Sequence, residues 1–207
     1  MSTDSSSENH RLAEKLIKTK DQRKNIQREL TGHIVTRWYR APEIILLEKD
    51  YGPAIDMWGF GCIVGELFAM FKENSATFLD RKPLFPGKSC FPLSPEQNPQ
   101  KVINGFPVAS GDQLSVIFSL IGTPNVEDKS FVTDTKALEY LETFQYIPRA
   151  DLQSKFPGCS KDAIDFLNRL LVFNPHFRMT LEEAIQHPFL DAVRQKTSKL
   201  VPSHIDF

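Results

Sequence analysis

At 207 residues the chain is long enough for one domain with a tail or for two small ones. Its 41% hydrophobic and 25% charged residues exclude a disordered, collagen-like or membrane-embedded composition. Twenty-five Lys and Arg face 26 Asp and Glu, a formal net charge of -1, so no global field draws in nucleic acid or anionic lipid.

The first segment, Met1 to His10, is Ser-rich and lacks an apolar h-region, so no secretory signal is expected. Residues 1–30 carry seven basic and five acidic residues, an arm of +2 on a body of -3. Their large apolar residues, Leu12, Leu16, Ile17, Ile26 and Leu30, are too few to bury much surface. A mobile or weakly helical arm is expected there. It reads as a solvated basic face or as a contact for a partner or nucleic acid, and the absence of interleaved aromatic residues disfavours base stacking.

From Thr31 onward the sequence predicts a mainly α body. Ile55 to Phe71 is apolar nearly all round and reaches the low end of a membrane span, but Asp56 and Glu66 would be costly in hydrocarbon. A buried core helix is the better reading. Residues 83–107 hold six of the fourteen prolines and show no periodicity, which predicts a long loop of a kind that is often functional. Asp112 can cap a helix whose Leu114, Ile117, Phe118 and Ile121 share one face, with Gly122 and Pro124 ending it. Ser160 precedes a second such helix, with Ile164, Leu167, Leu170 and Leu171 on one stripe and Asn174-Pro175 as its stop. Thr180-Leu181-Glu182-Glu183 fits a capping box, and this last helix is expected to stop at His187-Pro188.

Three widely spaced cysteines, Cys62, Cys90 and Cys159, fit neither a disulfide framework nor a Cys-x-x-Cys metal site and point to a reducing compartment. Gly59-Phe60-Gly61-Cys62-Ile63-Val64-Gly65 approximates a nucleotide-binding glycine pattern, but its third glycine is one position late and it lies inside an apolar helix. Close helix packing explains it better. No P-loop, Gly-x-Ser-x-Gly elbow or His-Glu-x-x-His pair is present. His176 and His187 lie in helix-stop segments without ligands at metal spacing, so no metal site is expected. These features describe a helical body with an arm and a long loop; they do not specify an activity.

Thr31-Gly32-His33-Ile34-Val35-Thr36-Arg37-Trp38-Tyr39-Arg40-Ala41-Pro42-Glu43 does. Its Ala-Pro-Glu ending resembles the close of a protein kinase activation segment, and the Thr-Arg-Trp-Tyr-Arg before it resembles the proline-directed mitogen-activated protein kinases. Asp56-Met57-Trp58-Gly59-Phe60-Gly61-Cys62, Lys82-Pro83-Leu84-Phe85-Pro86-Gly87, Leu120-Ile121-Gly122-Thr123-Pro124, Leu171 to Thr180 and His187-Pro188-Phe189-Leu190 continue the resemblance in order. It implies a helical C-terminal kinase lobe over residues 31–190, with a long loop at 83–111, preceded by the arm and followed by a tail, residues 191–207.

The resemblance also implies roles. Glu43 and Arg178 would form a buried bidentate pair. Asp56 would hold the catalytic loop from below, with Trp58 structural beside it. Val35, Arg37, Trp38, Tyr39 and Arg40 would form the wall that accepts a proline after the phosphorylated Ser or Thr, Thr36 would support the catalytic Asp, and Thr31 would be a regulatory phosphorylation site. Where the family has Thr-x-Tyr this chain has Thr31-Gly32-His33, so the phosphate that would gather Arg37 and Arg40 lacks its tyrosine. The Gly-rich loop, the Lys–Glu pair, His-Arg-Asp and Asp-Phe-Gly are absent from the sequence.

The chain alone is therefore expected to be inactive and to hold no cofactor, with ATP and Mg²⁺ implied for the full-length family. A pseudokinase-like module that binds kinase partners or substrates is the alternative. Arg194-Gln195-Lys196-Thr197-Ser198-Lys199 stands where the family often carries an acidic docking patch, and Ser94-Pro95 is a proline-directed phosphoacceptor pattern. Protein partners in the cytoplasm or nucleus are implied, and neither a membrane nor nucleic acid is.

Overall fold

A computed structural model describes residues 36–97, 99, 102–107 and 109–198; the arm, Thr31, Val35 and residues 199–207 lie outside the described residues. Among the described residues there are eight α-helices, three 3-10 turns and one two-stranded hairpin. The mainly α expectation therefore holds for them.

The element that organises the rest is α2, Ala54–Ala69, which follows a short α1, Pro42–Ile45, whose Pro42 sits at the first helical position where a missing N–H costs nothing. One face of α2 buries Met57, Trp58, Cys62, Val64 and Phe68, with Gly61 and Gly65 between them. That face packs on α6, Lys161–Leu170. The contact is close because of the glycines: a Cβ on Gly61 would lie 2.9 Å from Leu171 Cδ2, and one on Gly65 would lie 2.2 Å from Leu84 Cδ1. Gly59 meets nothing within 4 Å, so packing accounts for two of the three glycines in that run.

The opposite side of α2 corrects the expectation of a helix buried all round. Phe60, Ile63 and Leu67, with Met70 and Phe71 just past the end of α2, are between 41% and 52% exposed. An apolar sequence states that a face prefers to be covered, not which neighbour covers it, and the described elements leave about half of this one in solvent. No helix among the described residues is long and apolar enough to cross a membrane.

Side-chain caps set most of the remaining helix starts. Asp112 accepts from Leu114 N at the head of α3, Gln113–Ile121, and Gly122 ends it at φ 82°, a conformation that favours glycine. Asp134 and Asp151 cap α4, Thr135–Leu141, and α5, Leu152–Lys155. Ser160 caps α6, which stops at Leu170, short of the expected Asn174-Pro175. Leu171 is fully buried beside Gly61 and has left the helical conformation. Asn174 instead folds its amide inward to Ser130 Oγ and the Glu127 carbonyl.

Thr180 and Glu183 form the reciprocal capping box of α7, Leu181–Gln186. The chain does not end its helices at His187-Pro188, because a 3-10 turn, Pro188–Leu190, leads directly into α8, Asp191–Ser198, within the segment read as a tail. Proline is accommodated at the first position of that turn, and His187 caps it by accepting from Phe189 N.

The proline-rich loop is also more structured than its composition indicates. β1, Val102–Ile103, pairs antiparallel with β2, Phe106–Pro107, around Asn104-Gly105 at φ 51° and 83°. Positive φ at both central residues is the primed hairpin turn that Asn-Gly favours. Two-residue strands are too short to show alternation, so the dipeptide was the signal available in the sequence. Phe91 and Phe106 pack on Tyr140, with ring centroids 4.9 and 5.6 Å away, and this ties the loop to α4.

Candidate functional site

The described chain begins at the segment to which the resemblance assigns substrate contact. Thr36 adopts an extended conformation ahead of a 3-10 turn, Arg37–Tyr39, and its carbonyl accepts from Tyr39 N at 3.1 Å. The Thr36 hydroxyl makes no capping bond to the turn. A 3-10 turn stacks side chains three apart along the chain, so Arg37 and Arg40 reach toward the same neighbour, the stretch Gly87 to Cys90. Trp38 Nε1 donates to the Gly87 carbonyl at 3.0 Å, and Arg37 donates to the carbonyls of Gly87 and Lys88. Arg40 Nη1 points at Cys90 Sγ, 3.3 Å away. Burial pushes the Cys90 thiol up, while the Arg40 cation opposes that shift.

Tyr39 turns to the other side. Its hydroxyl donates to Glu66 at 2.8 Å, and that bond, with burial, pushes its pKa up to about 12. Tyr39, Arg40, Ala41 and Ile44 form one wall of an open cavity of about 290 Å³. Ile55, Asp56, Gly59, Phe60 and Ile63 of α2 and its start form the other. Asp56 is exposed at the first turn of α2 and presents its carboxylate along this largely apolar groove. Three sequence-predicted residues, Tyr39, Arg40 and Asp56, are thus brought into one region.

A buried ion pair ties the neighbouring elements together. Arg178 Nη1 and Nη2 donate to Glu43 Oε1 and Oε2 at 2.8 and 2.9 Å, with both residues almost fully buried. The remaining guanidinium hydrogens go to the carbonyls of Ala54, Val172 and Phe173. One side chain therefore joins α1, the start of α2 and the turn after α6. Its Cζ also lies 5.2 Å from the Trp58 ring, which stacks on Phe85 at 5.5 Å. The Trp58 indole N–H is buried without an acceptor among the described residues.

Several anchoring residues are not singled out by the sequence as more than local signals. Asp112 reads as a helix cap, but its buried carboxylate also accepts from Ser89 Oγ, Phe91 N and Tyr140 Oη, groups 21 to 28 residues away. Glu48, also buried, accepts from the backbone and hydroxyl of Thr133. His187 meets Asp165 at 3.0 Å. Since its Nδ1 accepts from Phe189 N, Nε2 carries the proton that Asp165 receives.

Among the described residues no three His, Cys, Asp or Glu side chains gather where they could hold a metal ion. The arrangement offers a partly exposed wall of aromatic and cationic side chains, Arg37 to Arg40.

The protein kinase domain model matches residues 12–190, beginning within the arm. Mitogen-activated protein kinase spk1 of Schizosaccharomyces pombe is 34% identical over 180 residues, 85% of this chain and 40% of that protein. Mitogen-activated protein kinase 4 of Oryza sativa is 36% identical over 161 residues, 78% of this chain and 35% of its own. Mitogen-activated protein kinase 11 of Arabidopsis thaliana is 34% identical over 181 residues, 86% of this chain and 41% of its own. The chain spans well under half the length of these curated relatives. The domain match over residues 12–190 establishes that the chain belongs to the protein kinase family, and the relatives it resembles are mitogen-activated protein kinases.

Proposed function

We propose that the chain is the C-terminal, substrate-side lobe of a mitogen-activated-protein-kinase-like Ser/Thr kinase. Its wall, Val35 and Thr36 to Arg40, receives the residue that follows the phosphorylated Ser or Thr, favouring proline. The observation that carries this reading is the Glu43–Arg178 clamp beneath an ordered Arg37–Tyr39 turn whose Trp38 is 41% exposed. A wall that selects by shape must keep its shape before the peptide arrives, because ordering it on binding would consume affinity. Mg·ATP supplies the transferred phosphoryl group in such kinases and lies outside the residues of this chain. Here Thr36 keeps its hydroxyl free of the turn so that it can support a catalytic Asp, and Asp56 steadies the loop carrying that Asp. Thr31 is the phosphorylation site, and protein substrates in the cytoplasm or nucleus are the partners.

By itself the chain is then catalytically inactive. Titration with millimolar Mg·ATP is expected to show no saturable binding, and clear saturation would overturn the reading. A Ser-Pro peptide is expected to shift the Trp38 indole resonance more than the Ser-Ala peptide of the same sequence.

A second reading, a non-catalytic module that binds kinase partners or substrates, is favoured by the continuous hydrophobic core that the described residues form among themselves. The two separate at the gene: coding sequence for His-Arg-Asp and Asp-Phe-Gly immediately upstream supports the kinase lobe, and its absence supports the module.

A further inference from the structure

The loop at residues 83–111 is bound into the candidate site. Gly87 to Cys90, on which Arg37, Trp38 and Arg40 converge, is fixed from behind by the head of α3. Lys88 N donates to the Gly111 carbonyl at 2.8 Å, and Gln113 N to the Ser89 carbonyl at 2.9 Å. Cys90 and Ser94 exchange backbone bonds of 2.8 and 2.6 Å. A Cβ on Gly87 would lie 2.9 Å from Gln113 Cα, so this backbone is pressed against α3.

Asp112, between Gly111 and Gln113, holds the same stretch through its side chain. Its Oδ2 accepts from Ser89 Oγ at 3.1 Å and Phe91 N at 2.9 Å, its Oδ1 from Leu114 N at 3.2 Å and Tyr140 Oη at 3.3 Å, and the residue is 2% exposed. A buried carboxylate is tolerated when donors saturate it, and four donors drawn from the loop, α3 and α4 make it the point where those elements are registered.

We infer that Asp112 is a positioning residue for the Arg37–Arg40 wall, acting through the Gly87 and Lys88 carbonyls and Cys90, so that the long loop is a working part of the substrate site. Its bearing on substrate recognition rests on the reading proposed above; the mechanical coupling does not. Asp112 sets the position of Ser89 and Phe91, these set the carbonyls before them, and the carbonyls hold the Trp38 indole and the Arg37 guanidinium.

The test uses the full chain. Hydrogen exchange of the two indole N–H groups is followed by ¹H–¹⁵N NMR, with Trp38→Phe assigning the resonances. Exchange reports local opening, and Trp58 lies in the core as an internal control. Asp112→Asn is expected to speed Trp38 exchange by about tenfold and leave Trp58 unchanged. Unchanged Trp38 exchange, or equal acceleration of both indoles in a folded variant, overturns the inference. If Asp112→Asn unfolds the chain, Ser89→Ala, which removes one of the four donors, carries the same comparison. Its expected result is about threefold faster exchange at Trp38 alone, and an unaltered ratio overturns the inference. Binding of a Ser-Pro peptide to the wild type decides the kinase-lobe reading separately.

Discussion

Arg178 donates to both carboxylate oxygens of Glu43 across 135 residues of sequence, and the pair is almost fully withdrawn from water. Removing one partner leaves an uncompensated buried charge. Glu43→Ala is therefore expected to cost about 3 to 5 kcal/mol in urea unfolding. Arg178→Ala should cost at least as much, because three backbone carbonyls lose their donor with it. The double variant should cost clearly less than the sum of the two. Additive costs would mean that the two residues do not act as a pair.

The glycines of α2 give a three-way comparison. Gly59→Ala meets open space and improves helix propensity, so it should stabilise by about 0.5 to 1 kcal/mol. Gly61→Ala drives a methyl into Leu170 and Leu171 and should cost about 1 to 3 kcal/mol. At Gly65 the obstacle is the end of the Leu84 side chain, which can turn away, so the cost should be smaller than at Gly61. Thermal unfolding of the three variants checks the order.

Tyr39 makes stability depend on pH at the alkaline end. Its hydroxyl is pushed up to about 12 from 10.0, chiefly by donating to Glu66. A raised folded-state value means that the stabilisation is fully present below about pH 10 and is lost as pH rises through about 12. The wild type should exceed Tyr39→Phe by about 1 kcal/mol at pH 8, and the gap should close between pH 10 and 12. A gap that stays constant to pH 12 would show that the hydroxyl does not hold its proton for Glu66.

His187 works as a two-sided strut, donating to Asp165 and accepting from Phe189 N. His187→Ala leaves that backbone N–H without its acceptor and should cost about 1 to 3 kcal/mol. Asp165→Asn keeps an acceptor oxygen in reach and should cost less. Equal costs in denaturant unfolding would assign the effect to the Asp165 contact alone.

The local grammar of the fold was open to reading from sequence. Asp112, Ser160 and Thr180 are caps because short polar side chains meet free N–H groups two or three residues ahead, a relation that a linear sequence displays. The same holds for the family motif, whose residues lie close together along the chain. What could not be read was what depends on distant partners. Asp112 gains three of its four donors from 21 to 28 residues away, and Arg37 finds the Gly87 carbonyl 50 residues on. The helix after His187-Pro188 is hidden in the sequence because Pro188 reads as a stop, whereas it begins a 3-10 turn that His187 caps. α2 reads as buried on all sides because hydrophobicity carries no information on which neighbour is present.

That last feature governs how the chain behaves in a test tube. Phe60, Ile63, Leu67, Met70 and Phe71 form a strip that water wets at a cost, and the cost falls whenever two such strips touch. Concentrated solutions should therefore cluster reversibly, more in sulfate than in dilute buffer, since excluded salts strengthen apolar association. Leu67→Lys should raise the concentration reached before light scattering climbs while leaving the melting temperature nearly unchanged, because Leu67 is already half in solvent. The working ceiling of the chain is thus set by colloidal solubility on one side of α2 and the turn that follows it, and its melting temperature by the other.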